Sequence, residues 1–301
     1  MRIADQVDAW TARNLQKAHK LKQFPPFSWL ALVLLVGLSA VPAAAQSYAY
    51  VPTHKSNSVS VINTASNSVV AVVSVGVQPL QAAVSPDGAF AYVTNSGWFL
   101  GNNDVSVIST ATNSVVATIP VGRFPVGVAF TPNGALAYVA NQNSNDVSVI
   151  NTVTQTTVAT VPVGTSPWGV AVTPNGAFAY VANYLSSSLS MISTATNTVV
   201  GTVLTPAYPI AIAITPDGSS AYVATNGNNI VSVINTASNS ATTSVAVGSI
   251  PRGVAITPDG AFAYVSNRMS EDVSVISTAT NTVVATISGV ALLPEGIAIK
   301  P

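Results

Sequence analysis

Side chains that could perform covalent chemistry are few in this sequence. The 301 residues include no cysteine and two histidines, and only His54 lies beyond residue 45. A zinc or iron site built from several histidine or cysteine ligands is therefore excluded within one chain. A serine–histidine–acid triad would have to use His54, and no G-x-S-x-G, P-loop or dinucleotide-binding motif is present. The remaining acid–base candidates are Glu271, Asp272 and Glu295.

Aromatic and charged side chains occur in segments that differ from one part of the chain to the next. Some flank a proline, as Arg252 follows Pro251, and others lie in longer polar loops. Mixed aromatic and charged groups on a concave surface are typical of binding sites, although variable loops without a function would give the same pattern. We predict a candidate binding face that comprises Phe124, Trp168, Tyr208, Arg252, Glu295, His54, Trp98, Tyr184 and Arg268.

Two sets of charged residues on this face have competing interpretations. Arg252 and Glu295 follow equivalent prolines, so they form either a charge pair that orients a polar ligand or a simple ion pair. Asp104, Asp146 and Asp272 each precede a strand, but isolated carboxylates do not supply the six to eight oxygens that Ca²⁺ needs. We expect each aspartate to cap its loop by accepting a backbone N–H, and we predict no metal or cofactor.

The elements that position these residues are internal repeats. A Tyr-Val dipeptide recurs at spacings of 42, 46, 42, 42 and 42 residues, at Tyr50, Tyr92, Tyr138, Tyr180, Tyr222 and Tyr264. Turns of the form Pro-Asp/Asn-Gly keep the same step, for example Pro132-Asn-Gly134. Each repeat contains four short β-branched strands separated by turn residues, which is the pattern of a propeller blade.

The phase of the repeats predicts how the ring closes. The repeat region opens at a second strand, Tyr48-Ala-Tyr-Val51, and Gly296–Pro301 aligns with an innermost strand. We therefore predict an all-β protein, a six-bladed propeller of four-stranded antiparallel blades over residues 46–301. In this prediction the C-terminal strand completes the first blade, which removes the open ends of the array. The alternative is a propeller with a seventh repeat that this sequence lacks.

The repeat sequence also resembles a known family. Ala91-Tyr-Val-Thr-Asn95 resembles the signature of the YVTN family of β-propeller repeats, as do the recurrent Asn-Asp-Val-Ser-Val-Ile and Thr-Pro-Asp-Gly-Ala segments. The resemblance covers all six repeats. It implies an extracytoplasmic or cell-surface protein, usually with seven blades rather than six. It implies no single activity, because a fold does not determine function.

The N-terminal 45 residues have the pattern of a secretory signal peptide. Cations up to Lys22 precede the apolar run Phe27–Leu38 and the small-residue segment Ala43-Ala-Ala45. We predict cleavage before Gln46, and the alternative is an uncleaved membrane anchor, although the run is short for a span of roughly 20 residues. Membrane contact is expected only through this segment.

Charge and the repeat architecture limit the possible partners. Residues 1–45 carry five cations and two anions, which leaves five basic and eight acidic residues for the rest. Five scattered cations argue against nucleic-acid binding. We predict an exported, non-catalytic binding scaffold for a protein, glycan or cell-envelope partner. The alternatives are a structural surface or adhesion protein and a lactonase-like hydrolase or lyase, whose site would lie where the central channel of the propeller opens.

Overall fold

The computed structural model of this protein describes residues 47–97, 103–290 and 294–297. These residues form 23 strands and no helix. The predicted signal segment, residues 1–45, and the candidate site residue Trp98 lie outside the described residues, so both remain predictions.

The strands form six antiparallel sheets, in which each strand pairs with its neighbours in sequence. Blade 1 contains β1 (Tyr48–Thr53), β2 (Ser58–Asn63) and β3 (Ser68–Ser74). Blade 2 contains β4 (Pro79–Val84), β5 (Phe90–Asn95), β6 (Asp104–Ser109) and β7 (Ser114–Pro120). Blade 3 contains β8 (Pro125–Phe130), β9 (Leu136–Asn141), β10 (Asp146–Asn151) and β11 (Thr156–Pro162).

The remaining three blades have the same composition. Blade 4 contains β12 (Pro167–Val172), β13 (Phe178–Asn183), β14 (Ser188–Ser193) and β15 (Thr198–Leu204). Blade 5 contains β16 (Pro209–Ile214), β17 (Ser220–Thr225), β18 (Ile230–Asn235) and β19 (Ser240–Ala246). Blade 6 contains β20 (Pro251–Ile256), β21 (Phe262–Asn267), β22 (Asp272–Ser277) and β23 (Thr282–Ser288).

Blade 3 shows why these sequences form strands and turns. Gly134 has a φ of +70°, which favours glycine, and its N–H donates to the Thr131 carbonyl at 2.8 Å. This turn joins β8 to β9. The middle of β10 is buried on both faces of the sheet, because Val147, Ser148, Val149 and Ile150 are each at most 1% exposed.

Hydrophobic cores lie between consecutive blades. Between blades 3 and 4, Tyr138 and Val149 pack with Val181 and Ile192. Similar clusters join blades 1 and 2, 2 and 3, 4 and 5, and 5 and 6. The first strands of consecutive four-stranded blades adjoin one another, which makes them the innermost strands of a β-propeller.

The predicted closure of the ring is not confirmed. Blade 1 has three strands rather than the predicted four, and the described residues 294–297 form no strand with β1. They lie beside β20, where a Cβ added at Gly253 would come within 3.0 Å of the Ile297 nitrogen and 3.2 Å of the Glu295 carbonyl oxygen. Gly169 faces the Ile210 carbonyl of the next innermost strand in the same way. The segment therefore has the position of the innermost strand that follows blade 6.

Candidate functional site

One face of the propeller consists of nearly identical turns. On this face the Asp87 carboxylate accepts hydrogen bonds from the Ser85 hydroxyl at 2.5 Å and the Ala89 N–H at 3.0 Å. These bonds hold the pKa of Asp87 below its ordinary value, the Ser85 bond having the largest effect. Asp217 makes the equivalent contacts, and its pKa is lowered for the same reason. The carboxylates on this face are therefore engaged in turn structure.

The opposite face, which we call the mouth face, carries the variable segments. Each innermost strand begins at a proline, and the residue before it has left-handed backbone geometry, with φ between 54° and 62°, at Gln78, Phe124, Ser166, Tyr208 and Ile250. The Ile250 N–H donates to Asn229 Oδ1 at 2.9 Å, and the Ile250 carbonyl accepts from the Arg268 N–H at 2.9 Å. These bonds tie the residue–proline segment to the loops on either side and so position the variable side chains.

The aspartates that precede the third strands have a structural role different from the expected one. Asp146 Oδ1 accepts a hydrogen bond from Asn141 Nδ2 at 2.7 Å, and Asn141 Nδ2 also donates to Ser148 Oγ at 2.9 Å. Asp104 and Asp272 accept from Asn95 and Asn267 in the same way. Each aspartate therefore accepts its hydrogen bond from an asparagine side chain, whereas a backbone N–H was the expected donor.

Three of the predicted aromatic residues form a continuous group on the mouth face. The rings of Tyr184 and Tyr208 are stacked, with centroids 4.9 Å apart and an interplanar angle of 26°. Trp168 lies 6.0 Å from Tyr184 in a tilted arrangement. Trp168 and Tyr184 are half-buried, and Tyr208 is exposed. Large amphipathic rings that are only partly covered offer surface for stacking with a ligand or partner.

Three predicted charged residues continue this group. The Arg252 guanidinium lies over the Trp168 ring at 5.9 Å from the centroid. Glu295 lies between two arginines: its Oε1 is 2.7 Å from Arg268 Nε, and its Oε2 is 3.6 Å from Arg252 Nε. Neither Nε–H is aligned for a hydrogen bond, so both contacts are ion pairs. We call these six residues, Trp168, Tyr184, Tyr208, Arg252, Arg268 and Glu295, the aromatic–arginine array.

The array has surplus positive charge and free donors. Two guanidinium groups share one carboxylate, and the Glu295 side chain is 60% exposed. Within the described residues, the arginine NH₂ groups make no side-chain hydrogen bond to the protein. A planar guanidinium can donate two parallel hydrogen bonds to a carboxylate or phosphate. The array can therefore bind an anionic group beside a stacked ring.

The structure separates the other predicted site residues from the array. Phe124 is buried in the segment before β8, so its ring is not presented at the mouth face. His54 is exposed in the loop between β1 and β2 of blade 1, whereas the array spans blades 4 to 6 and residues 294–297. Across the described part of the chain, no three His, Cys, Asp or Glu side chains are placed to hold a metal ion. The same residues contain no helix able to span a membrane.

Comparison with protein families assigns the chain to a propeller family. The model described as "Lactonase, 7-bladed beta-propeller" matches residues 41–160 and again residues 151–299. The chain belongs to this lactonase family. The family description gives seven blades, whereas the described residues of this member form six sheets. The YVTN resemblance is thus supported at the level of a repeat propeller, under a different family name.

Solved structures share the fold of this lactonase-family chain. The hydrazine synthase of Kuenenia stuttgartiensis has a TM-score of 0.75 and 22% identity, over 84% of this chain and 86% of that chain. A functionally unknown protein from Desulfotomaculum acetoxidans DSM 771 has a TM-score of 0.71 and 22% identity, over 83% and 84% of the two chains. At this identity the likeness concerns the fold alone. No curated protein matches the chain.

Proposed function

We propose that this lactonase-family member is an exported, non-catalytic propeller that binds an acidic partner of the cell envelope, a protein or a glycan. The proposal rests on one observation, the aromatic–arginine array on the mouth face. Export rests on the sequence pattern of residues 1–45.

The composition of the array suits non-covalent recognition. Partly exposed Trp168 and Tyr208 offer ring faces for a sugar ring or an apolar side chain, and aromatic and arginine residues dominate the affinity of most binding surfaces. Arg252 and Arg268 together carry one more charge than Glu295 neutralises. An acidic group on the partner would displace or join Glu295 in pairing with the guanidinium groups.

Binding can be measured by thermal unfolding of the full chain with acidic oligosaccharides, neutral oligosaccharides of the same length and peptidoglycan fragments. A ligand present at about 100 times its Kd stabilises the folded state by roughly 2.7 kcal/mol. In a domain of this size that raises the unfolding midpoint by several degrees.

Variants locate the binding surface. Trp168→Ala and Arg252→Ala should each abolish the ligand-induced shift, whereas Arg123→Ala, which removes an exposed arginine outside the array, should keep it. A shift that survives both array variants would move the binding site elsewhere. If no compound produces a shift and envelope extract yields no acidic partner, the binding proposal is wrong and a structural surface role is favoured.

Lactone hydrolysis is the second candidate function, and family membership favours it. In this reaction water adds to the lactone carbonyl carbon, the ring C–O bond breaks, and a carboxylic acid and a hydroxyl group form. Glu295 would accept the proton from water and return it to the departing ring oxygen, while an arginine stabilises the oxyanion.

A direct assay separates the two functions. Lactone turnover by the full chain that disappears in Glu295→Gln, but persists in Arg123→Ala, would establish the hydrolase and overturn the non-catalytic proposal. Ligand-induced stabilisation without turnover would support the binding proposal.

A further inference from the structure

A cleft lies between blades 2 and 3 on the face of nearly identical turns, which we call the turn face. Its volume is about 650 Å³. The clefts on the same face between blades 3 and 4 and between blades 5 and 6 measure about 240 Å³ each. Small-molecule sites in proteins usually have volumes of about 300–1,000 Å³. Of these three clefts, only the one between blades 2 and 3 is therefore large enough for a small molecule.

The base of this cleft contains a buried hydroxyl that lacks the partner its equivalents have. Tyr92 lines the cleft and is 1% exposed, and its hydroxyl has no hydrogen-bond partner in the described structure. Between blades 5 and 6 the equivalent Tyr222 hydroxyl donates to Asn281 Oδ1 of the next blade at 2.6 Å. Gln155 holds that asparagine position opposite Tyr92, and it also lines the cleft. Because an unpaired buried hydroxyl is unfavourable, a ligand group that bonds to Tyr92 would gain affinity.

Two phenylalanine rings give the cleft apolar walls. Phe90 begins the second strand of blade 2 and Phe130 ends the innermost strand of blade 3, and both half-buried side chains line the cleft. Phe130 also packs edge-to-face on Tyr92, with ring centroids 4.9 Å apart and an interplanar angle of 70°. At the next three junctions these two positions hold Leu136 and Val172, Phe178 and Ile214, and Ser220 and Ile256. Among these four junctions, only that of blades 2 and 3 has two phenylalanines, and such rings favour an aromatic ligand.

The rim of the cleft carries a single charge among its described lining residues, the exposed carboxylate of Asp87. Its lowered pKa keeps this carboxylate ionised at neutral pH. The Ser85 hydroxyl and the Ala89 N–H both donate to Asp87 Oδ1, and Oδ2 has no hydrogen-bond partner among the described residues. Because a carboxylate oxygen accepts strong hydrogen bonds from cationic donors, the rim suits a protonated amine.

We infer that this cleft binds a small aromatic amine whose ring carries a hydroxyl group at the end away from the amine. The ring hydroxyl bonds to Tyr92 at the base, where the half-buried Gln155 side chain turns outward to admit it. The ring lies against Phe90 and Phe130, and the ammonium group pairs with Asp87 at the rim. The turn face is opposite the aromatic–arginine array, so the inference is independent of the proposed function.

Isothermal titration calorimetry of the full chain with three related compounds tests the ligand chemistry. Tyramine has the ring, the hydroxyl group and the amine, phenethylamine lacks the hydroxyl group, and para-hydroxyphenylpropionate has a carboxylate in place of the amine. Tyramine should bind saturably, phenethylamine should bind several-fold more weakly, and the carboxylate compound should not bind. Absence of saturable tyramine binding, or equal binding of the carboxylate compound, would overturn the inference.

Two variants test the hydroxyl group at the base of the cleft. Gln155→Asn gives Tyr92 the partner that Tyr222 has, so the affinity for tyramine should fall about tenfold while the protein stays folded. In Tyr92→Phe the hydroxyl is absent, so tyramine and phenethylamine should bind equally well. Circular dichroism verifies the fold of both variants.

A charge variant and two controls locate the binding. Asp87→Asn should also weaken tyramine binding about tenfold, and it should fold because Asn133 holds the same turn position in blade 3. Asp217→Asn, the matched change in blade 5, and Trp168→Ala, which alters the aromatic–arginine array, should bind tyramine like the wild-type protein. Binding that is unchanged in Asp87→Asn or Gln155→Asn, or lost in Trp168→Ala, would overturn the inference.

Discussion

Replacing Gln155 by asparagine should stabilise the protein, because it would supply a missing hydrogen-bond partner. Tyr92 is 1% exposed, and its hydroxyl has no hydrogen-bond partner in the described structure. In four other repeats the equivalent hydroxyl donates to an asparagine Oδ1 of the next blade, at 2.6 to 3.1 Å; the pairs are Tyr50–Asn113, Tyr138–Asn197, Tyr180–Asn239 and Tyr222–Asn281. Gln155 occupies that asparagine position opposite Tyr92, with one methylene more.

Two contributions set the expected gain. A new hydrogen bond to a buried hydroxyl contributes about 0.5–1.5 kcal/mol net. Gln155 also has a φ of +52°, a left-handed geometry in which asparagine is enriched several-fold over other non-glycine residues. Together these raise the free energy of unfolding by about 1–2 kcal/mol, or several degrees in the unfolding midpoint for a domain of this length.

A double-mutant cycle separates the hydrogen bond from the backbone effect. In a Tyr92→Phe background no hydroxyl is present, so Gln155→Asn should give only the backbone contribution. Urea unfolding of the four proteins measures the difference. Asn197→Gln is the matched control: it should destabilise by a similar amount, because it removes the partner of Tyr138. If Gln155→Asn gains equally with and without the Tyr92 hydroxyl, the hydrogen-bond explanation is wrong.

Three further predictions concern pH and the C-terminal segment. Burial raises the pKa of Tyr138 from 10.0 to about 12. The stability contributed by the protonated Tyr138 hydroxyl is therefore complete below pH 10 and is lost as the pH rises towards 12. The urea midpoint of Tyr138→Phe should fall less over this pH range than that of the wild-type protein. Hydrogen bonds lower the pKa of Asp87 below 3.8. The stability contributed by the ionised Asp87 carboxylate is therefore present above pH 3.8 and is lost on further acidification. Ser85→Ala removes the main hydrogen bond, so its urea midpoint should fall less on acidification than that of the wild-type protein. Deleting residues 294–301 should lower the unfolding midpoint, because Ser266 loses its hydrogen bond to the Glu295 carbonyl and Gly253 loses its contact with Glu295 and Ile297. An unchanged midpoint would contradict the packing of this segment against blade 6.

The strands and turns could be predicted from sequence because they depend on short-range rules. The turn Thr131–Gly134 needs a proline at its corner and a glycine at positive φ, and both residues are visible in every such segment. The alternating Val147 and Val149 indicate a strand without knowledge of its neighbours. The six sheets follow from counting these signals. Ring closure does not, because it depends on whether blades 1 and 6 meet.

The mouth face could be predicted only in part, because its geometry depends on contacts between blades. Local preference places the residue before a proline in extended geometry, yet Ile250 and its equivalents are left-handed because their N–H and carbonyl groups bond to neighbouring loops. The sequence places Phe124 on the candidate binding face, whereas its side chain is buried. The closer partner of Glu295 is Arg268, not the Arg252 that sequence alignment of the repeats indicated.

Comparison among repeats separates residues that packing requires from those that it does not. The position after the innermost proline holds Val126 and Ile210 in blades 3 and 5, where both are buried and apolar. The same position holds Trp168 in blade 4 and Arg252 in blade 6, where both are partly exposed and contact each other. An apolar residue satisfies the fold at this position, so the fold does not require a tryptophan or an arginine there. The binding function that we propose would account for both residues, and this is the reason to test them first.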